Sequence, residues 1–275
     1  MNIYDYLIEG NENYGTYRDT ICKSVFKCPK ESIQEKVIIA PTWNVDIFKN
    51  HAESIKQISG PTGHGYVVYD LVVNNTKITY ISTGVGACKV LDAVLALGCT
   101  LCKEIIFIGS VGALDSKMEI GDIVIPEYSV CGVGTNRYLT DKCISDNDTF
   151  GEKFYPNHQI FKDLDLITDH VLQKSDIKKH YGHTFSVDTI FAQYAHLNEI
   201  IGMGCNSIEM ETATLFMAAE IAKIRSSAIF NVSDNTITRK SLYNGRTEDD
   251  TSRRIHSKEN IIPLIVLKAF GIDSI

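Results

Sequence analysis

Long apolar runs are missing from this sequence: none approaches the roughly 18 consecutive residues that a membrane-spanning helix needs. The N-terminal stretch MNIYDYLIEGNENYG has no basic region followed by an apolar one, so a secretory leader is not expected. These two absences point to a soluble, cytoplasmic protein. Positive charge is also in short supply. The 27 Lys and Arg are outnumbered by 34 Asp and Glu, giving a net charge of −7, and they are scattered rather than gathered into a stripe. Binding to nucleic acid or to an anionic membrane surface is therefore not indicated. Internal repeats and low-complexity segments are absent as well. Cysteine is present eight times, but the spacing Cys99-Thr-Leu-Cys102 has no second pair to complete a zinc site. Several of the cysteines lie inside apolar segments, as reduced, buried thiols do. No metal and no cofactor is expected.

What is present is enough apolar material, 44% over 275 residues, to bury a full core in one large α/β domain. Residues 1–35 have no clean period and are read as an extension with one short helix, leaving 36–275 as the main domain. Val37 to Ala40 is a short apolar run stopped by Pro41, as in a central strand. A helix is expected from about Val45 to Ile58. Tyr66–Val73 and Lys77–Ser82 read as a hairpin. Gly84 and Gly86 then leave a strand and open an apolar helix, and the next strand starts at Glu104, which makes a parallel crossover. Gly84, Gly86, Gly109 and Gly112 allow backbone N–H groups to approach a ligand, although plain turns need glycine too. A strand over Gly121–Ile125 is expected to end at Pro126. The poorly periodic stretch from Cys131 to Asn157 is read as a functional loop. A helix over 158–174, a strand over 180–187 and a last helix over 247–270, kinked or restarted at Pro263, complete the pattern.

The segment Ile208 to Thr236 places Glu211 and Asp234 just after two successive strands. Loops at the carboxyl ends of strands collect at one edge of an α/β sheet, so both acids can face one crevice. Two carboxylates there suit chemistry in which one holds a polyol and the other handles a proton. They also suit ordinary first-turn helix positions.

Three motifs, IGSVGALDSKMEIGDIVIP, IEMETATLFMAAE and NVSDNT, together with GTNRYL and FSVDTIF, resemble the signatures of the purine nucleoside and uridine phosphorylase family, which includes methylthioadenosine and adenosylhomocysteine nucleosidases. The resemblance covers about Lys36 to Phe270. It implies a three-layer α/β sandwich with a mixed, partly barrel-like sheet, a homodimer or ring of dimers, and cleavage of the bond between a ribose and a nucleobase. Carried over by position, it implies that Glu211 binds the 2′ and 3′ hydroxyls beside Met210 and Glu209, and that Asp234, next to Ser233, protonates the departing base. A carboxylate accepts two hydrogen bonds from a vicinal diol and stabilises an oxocarbenium-like ribosyl group. Ser110, Val111 and Gly112 fall at the substrate, Phe191 or Ile190 over the base, and Arg254 near the aspartate. An aspartate at 234 favours a purine.

Phosphorolytic members resembling this chain hold phosphate with an arginine before the G-S/T-x-G turn, where Ile108 stands here, and with a glycine and an arginine in the first loop, where it reads PTWNVD. Without those guanidiniums a phosphate dianion lacks fixed positive charge to offset its desolvation. The nucleosidases instead place an acid in that loop to orient water, which here corresponds to Asp46. The expected activity is therefore hydrolysis of a purine or purine-like nucleoside. A phosphorylase using other cations (Arg137, Arg239 or Arg246) and a nucleoside-binding protein without catalysis are the rival expectations.

Overall fold

The computed structural model describes residues 2–272. Two helices, α1 (Ile3–Asn13) and α2 (Arg18–Phe26), come first, where the sequence suggested one. Asn2 caps α1 by accepting from the Asp5 amide at 2.8 Å, and Tyr4, Ile8, Ile21, Cys22 and Phe26 pack these helices onto the core. The strands that follow are β1 (Lys36–Ala40), β2 (Ser54–Ser59), β3 (Val67–Val73) and β4 (Thr76–Ser82). Between β1 and β2 the expected helix is absent. Asn44 caps a single 3-10 turn over Val45–Phe48, and the chain then extends into β2, an edge strand paired antiparallel with β3. Ile55 and Ile58, three positions apart among polar residues, are too few to bury a helix face, and the pairing with β3 slips between Gln57 and Ser59. The β3–β4 hairpin turns on Asn74 and Asn75, both at positive φ as a tight two-residue hairpin requires.

Helix α3 (Ala87–Leu97) leads into β5 (Glu104–Ala113), followed by β6 (Ile123–Gly132) and the two-residue β7 (Lys153–Phe154). Pro126 does not end β6. The register with its parallel neighbour shifts between Pro126 and Tyr128, and this irregularity lets the strand continue past a residue that has no N–H. The chain then forms α4 (His158–Leu172), β8 (Lys179–Val187), α5 (Leu197–Gly202), β9 (Ser207–Glu209), α6 (Thr212–Ile221), β10 (Arg225–Asn235), α7 (Glu248–His256) and α8 (Ile262–Ala269). A π-helical turn over Ser257–Ile261 joins the last two, with Pro263 in the first turn of α8, where a missing N–H costs nothing.

The sheet runs β10-β6-β8-β9-β5-β1-β4-β3-β2, and β10 also pairs with β5. Strands β10, β6, β8, β9 and β5 therefore close into a ring, while the remaining strands extend from β5 as an open, twisted wing. This is the mixed, partly barrel-like α/β sandwich that the resemblance implied. Side chains alternate across it. Val37, Ile39, Ile105, Phe107, Ala228 and Phe230 join the apolar layer under α1, α2, α3 and α6. Ile38, Ala40, Ile106, Ile108 and Ile229 join the layer under α4 and α8. Each layer is continuous, so both faces of the central strands are buried, as parallel strands require.

A polar knot ties α7 to the ring. Asp122, fully buried, accepts from the amides of Lys178 and Glu119 at 3.1 and 3.0 Å and from Arg253 Nη2 at 3.1 Å, and it meets His180 Nε2 at 2.7 Å. Burial pushes the Asp122 carboxyl upward, but the hydrogen bonds from His180 and the two amides outweigh it and hold it below the usual range. Among the described residues no helix is long and apolar enough to cross a membrane. The eight cysteines are free thiols.

Candidate active site

At the carboxyl ends of β1, β5 and β10 and at the turn after β9 lies a cavity of about 230 Å³. Glu211 and Asp234 both line it. Each reaches the wall for a different local reason.

Strand β9 ends at Glu209 and helix α6 begins at Thr212, so Glu209, Met210 and Glu211 form a tight strand-to-helix turn. Glu209 supplies the helix cap. Its Oε2 accepts from the amides of Glu211 at 2.7 Å and Thr212 at 2.9 Å, and its Oε1 accepts from the Thr212 hydroxyl at 2.8 Å and from Ser186. A carboxylate at a helix N-terminus satisfies orphan amides and meets the positive end of the dipole. Glu209 borders the cavity, yet both its oxygens are engaged by protein donors. Glu211 is therefore the carboxylate of this turn that is placed to meet a ligand. Its Oε1 accepts from the Gly86 amide at 2.6 Å, so the glycine turn before α3 serves the protein's own acid. Only 5% of Glu211 is exposed. Burial, and then the nearby Glu209 carboxylate, push its pKa up to about 8, against the pull of the Gly86 N–H.

Asp234 lies on β10, and the pairing of β10 with β5 slips there: Val232 faces Val111, and Asp234 faces Gly112, leaving Ser233 as an extra residue. Successive strand residues ordinarily point to opposite faces, but a bulge re-aims them. Ser233 and Asp234 consequently both line the cavity. Gly112 makes room for the acid: a Cβ there would stand 3.2 Å from Asp234 Oδ2 and 3.2 Å from Ile208 Cγ2. Burial raises the Asp234 pKa, opposed by the Ser233 hydrogen bond and by the charges of Arg246 and Arg254. The Ser233 hydroxyl lies within reach of both Val111 O, at 3.1 Å, and Asp234 Oδ1.

Of the other residues singled out in the sequence, Ser110, Gly112, Met210 and Arg254 line the cavity. The Ser110 hydroxyl donates to Asn231 Oδ1 at 2.7 Å. Val111 does not line it. Its side chain is buried in the apolar layer that also holds Phe107 and Phe230, and it contributes only its carbonyl through Ser233. Phe191 is 92% exposed and outside the cavity wall, where its neighbour Ile190 lies instead. Asp46 sits exposed on the 3-10 turn after β1, and the first loop reaches the cavity through Pro41 and Thr42. Of the alternative cations, Arg137 pairs with Asp148, and neither it nor Arg239 lines the wall.

Sequence reasoning missed the apolar floor. Phe107 and Phe230 line the cavity and meet edge to face with centroids 5.8 Å apart. The pairing of β5 with β10, which puts them side by side, has no local signature. Val187, Tyr194 and Leu242 complete apolar walls suited to a planar ring.

The description "Phosphorylase superfamily" belongs to the family model that matches residues 37–267. The sequence is 26% identical over 175 residues to a guanosine phosphorylase of Halorubrum lacusprofundi, covering 62% of this chain and 67% of that protein. It is 27% identical over 136 residues to a DeoD-type purine nucleoside phosphorylase of Listeria monocytogenes, covering 50% and 54%. The chain thus spans from about half to two thirds of the length of these curated relatives. The fold is similar to that of a uridine phosphorylase from Vibrio fischeri, with a TM-score of 0.72 at 17% identity over 89% of this chain and 95% of that one.

Proposed function

Because this chain belongs to the phosphorylase superfamily, we propose that it is an enzyme that cleaves the N-ribosidic bond of a purine or purine-like nucleoside. The observation that carries this reading is that Glu211, from the turn after β9, and Asp234, from the bulge on β10, border one cavity with an aromatic floor. Glu211 takes the ribose hydroxyls. In the empty cavity its ionised form is costly, and positive charge growing on the ribosyl group offsets that cost, so the contact strengthens toward the transition state. Asp234, whose carboxyl burial pushes upward and so toward taking up a proton, donates to N7 of the departing base. The charges of Arg246 and Arg254 then stabilise the carboxylate left behind.

Water is the favoured acceptor. Arg254 is the one basic residue in the cavity wall among the described residues, and its charge bears on Asp234. Elsewhere the wall offers no fixed cation against the desolvation of a phosphate dianion. Asp46 lies outside the wall, so this reading gives it no part; water adds to C1′ of the oxocarbenium-like ribosyl group as the C–N bond breaks, and its proton passes to solvent water while Asp234 supplies the one taken by the base. Phosphorolysis is the second reading, supported by the names of the curated relatives and by Ser110 and Gly109 in the wall.

The deciding experiment incubates purified protein with inosine and with adenosine, with and without inorganic phosphate, and measures free base and sugar product. Free ribose at a rate independent of phosphate supports hydrolysis. Ribose 1-phosphate formed only with phosphate present favours the second reading, and no base from either nucleoside refutes enzymatic cleavage. The homodimer or ring of dimers implied by the resemblance is checked by light scattering.

A further inference from the structure

Ser110 of β5 lines the cavity, and its partner across the parallel register on β10 is Asn231, which is completely buried. Three hydrogen bonds decide which way the Asn231 amide faces. Its Nδ2 donates to the carbonyl oxygen of Arg254 at 3.0 Å and to Ser257 Oγ at 3.1 Å. A carbonyl can only accept. Ser257 spends its own proton on that same Arg254 carbonyl, at 3.1 Å, so its oxygen also calls for a donor. Both partners thus fix the nitrogen on the α7 side of Asn231. The oxygen is left to Ser110, whose hydroxyl lies 2.7 Å away.

A serine hydroxyl has one proton and two lone pairs. Among the described residues Ser110 is the one donor to Asn231 Oδ1. Turning that proton into the cavity would strand a buried oxygen without a donor, at the full cost of its desolvation. Ser110 therefore presents lone pairs alone to whatever occupies the cavity. Water can donate to them. The charged oxygens of a phosphate dianion only accept, so there lone pair meets lone pair and neither side is satisfied.

We infer that Asn231 is a specificity-determining residue for the group that receives the ribosyl unit: by holding the Ser110 proton it makes that hydroxyl an acceptor, which admits water and disfavours inorganic phosphate. Asn231 touches no reacting atom and acts through Ser110, so it is a positioning residue. Ser110 in the wall is then no place for phosphate by itself. The inference rests on the hydrolytic reading proposed above.

The test is calorimetric titration of inorganic phosphate into the parent protein, into Asn231→Leu and into Ser110→Ala. The leucine keeps the bulk of the amide and returns the proton to Ser110; the alanine removes the lone pairs and leaves the hold of Asn231 on Arg254 in place. Phosphate should bind Asn231→Leu at least about tenfold more tightly than the parent, as one hydrogen bond to a charged group provides, and Ser110→Ala should also bind it more tightly than the parent. A residue that merely supports the fold would lower the melting temperature on replacement and leave phosphate affinity alone. Binding that is equal, weaker or undetectable in Asn231→Leu, or not improved in Ser110→Ala, overturns the inference. Should Asn231→Leu fail to fold by circular dichroism, Ser110→Ala decides by its sign: a gain supports the inference, and a loss or no change overturns it. Phosphate alone is the probe, so the result does not depend on turnover. A parent that releases free ribose while the three proteins bind phosphate alike keeps the hydrolytic reading and loses this part of it; a parent that releases no base removes the reading and leaves the phosphate comparison to be judged by itself.

Discussion

Replacing Glu211 by glutamine should make the protein more stable while removing its function, and the gain should depend on pH in a defined way. Glu211 is buried against Glu209, and its pKa is pushed up to about 8 from a reference of 4.5. Between those values the native protein holds a proton that the unfolded chain has released. Unfolding is then favoured by rising pH, so this group subtracts stability progressively from about pH 4.5 to about pH 8. At pH 7 the interval is about 2.5 units at about 1.4 kcal/mol each, a cost of about 3 kcal/mol. Glutamine has nearly the same shape, keeps an acceptor oxygen for the Gly86 amide and cannot ionise. For a chain of this size about 3 kcal/mol corresponds to a rise in melting temperature of roughly 6–10 °C. The assay is calorimetric unfolding of parent and Glu211→Gln without ligand at half-unit steps from pH 5 to pH 9. The two curves should converge near pH 5 and separate steadily up to pH 8. Equal melting temperatures at pH 8, or a gap that does not widen with pH, would show that the carboxylate is not held neutral by its surroundings.

Other perturbations separate the roles of the remaining residues. Asp234→Asn should bind nucleoside within a few-fold of the parent by calorimetry yet lose at least about 100-fold in kcat, as the loss of a general acid does; unchanged turnover would refute the assignment. Gly112→Ala forces a methyl to 3.2 Å from Asp234 Oδ2, and kcat should fall about tenfold through a displaced acid, because small misplacements at a reacting centre are costly. Asp122→Ala strips four partners of their common acceptor, although Arg253 keeps Asp176 and Glu119, and chemical denaturation should register a loss of about 1–3 kcal/mol for the buried amides left unpaired. Asp46→Asn should leave kcat within about threefold, the ordinary effect of a change at an exposed position away from the chemistry.

Local pattern made some of this legible in the sequence and not the rest. The run Val37–Ala40 and the Asn74-Asn75 hairpin carry their physics within a few residues, in continuous burial and in a turn that demands positive φ. Glu211 was legible for a similar reason, since it follows β9, whereas Asp234, expected just after a strand, lies within β10 and reaches the cavity through the bulge at Ser233. Val111 was misjudged by treating Ser110–Gly112 as a block, when its side chain packs into the layer under α3 and α6. Ser233 and Asp234 are the reverse case, where period predicts opposite faces and a bulge, invisible in sequence, gives the same one. Closure of the ring through β5 and β10, and with it the aromatic floor, depends on pairing between strands more than a hundred positions apart and leaves no local trace. The Val45–Ile58 helix failed because the helical signal ends with one capped turn, and the residues from Ser54 onward pair with β3 instead.

The amide of Gly86 and the carboxylate of Glu211 meet across 125 positions of chain. The acid to which we assign the ribose is thereby oriented by a glycine turn from the other half of the polypeptide, so neither half taken separately holds a finished cavity. Split the gene anywhere between these two positions, and nucleoside recognition becomes a reporter of reassembly, silent in each fragment and restored only when the two dock.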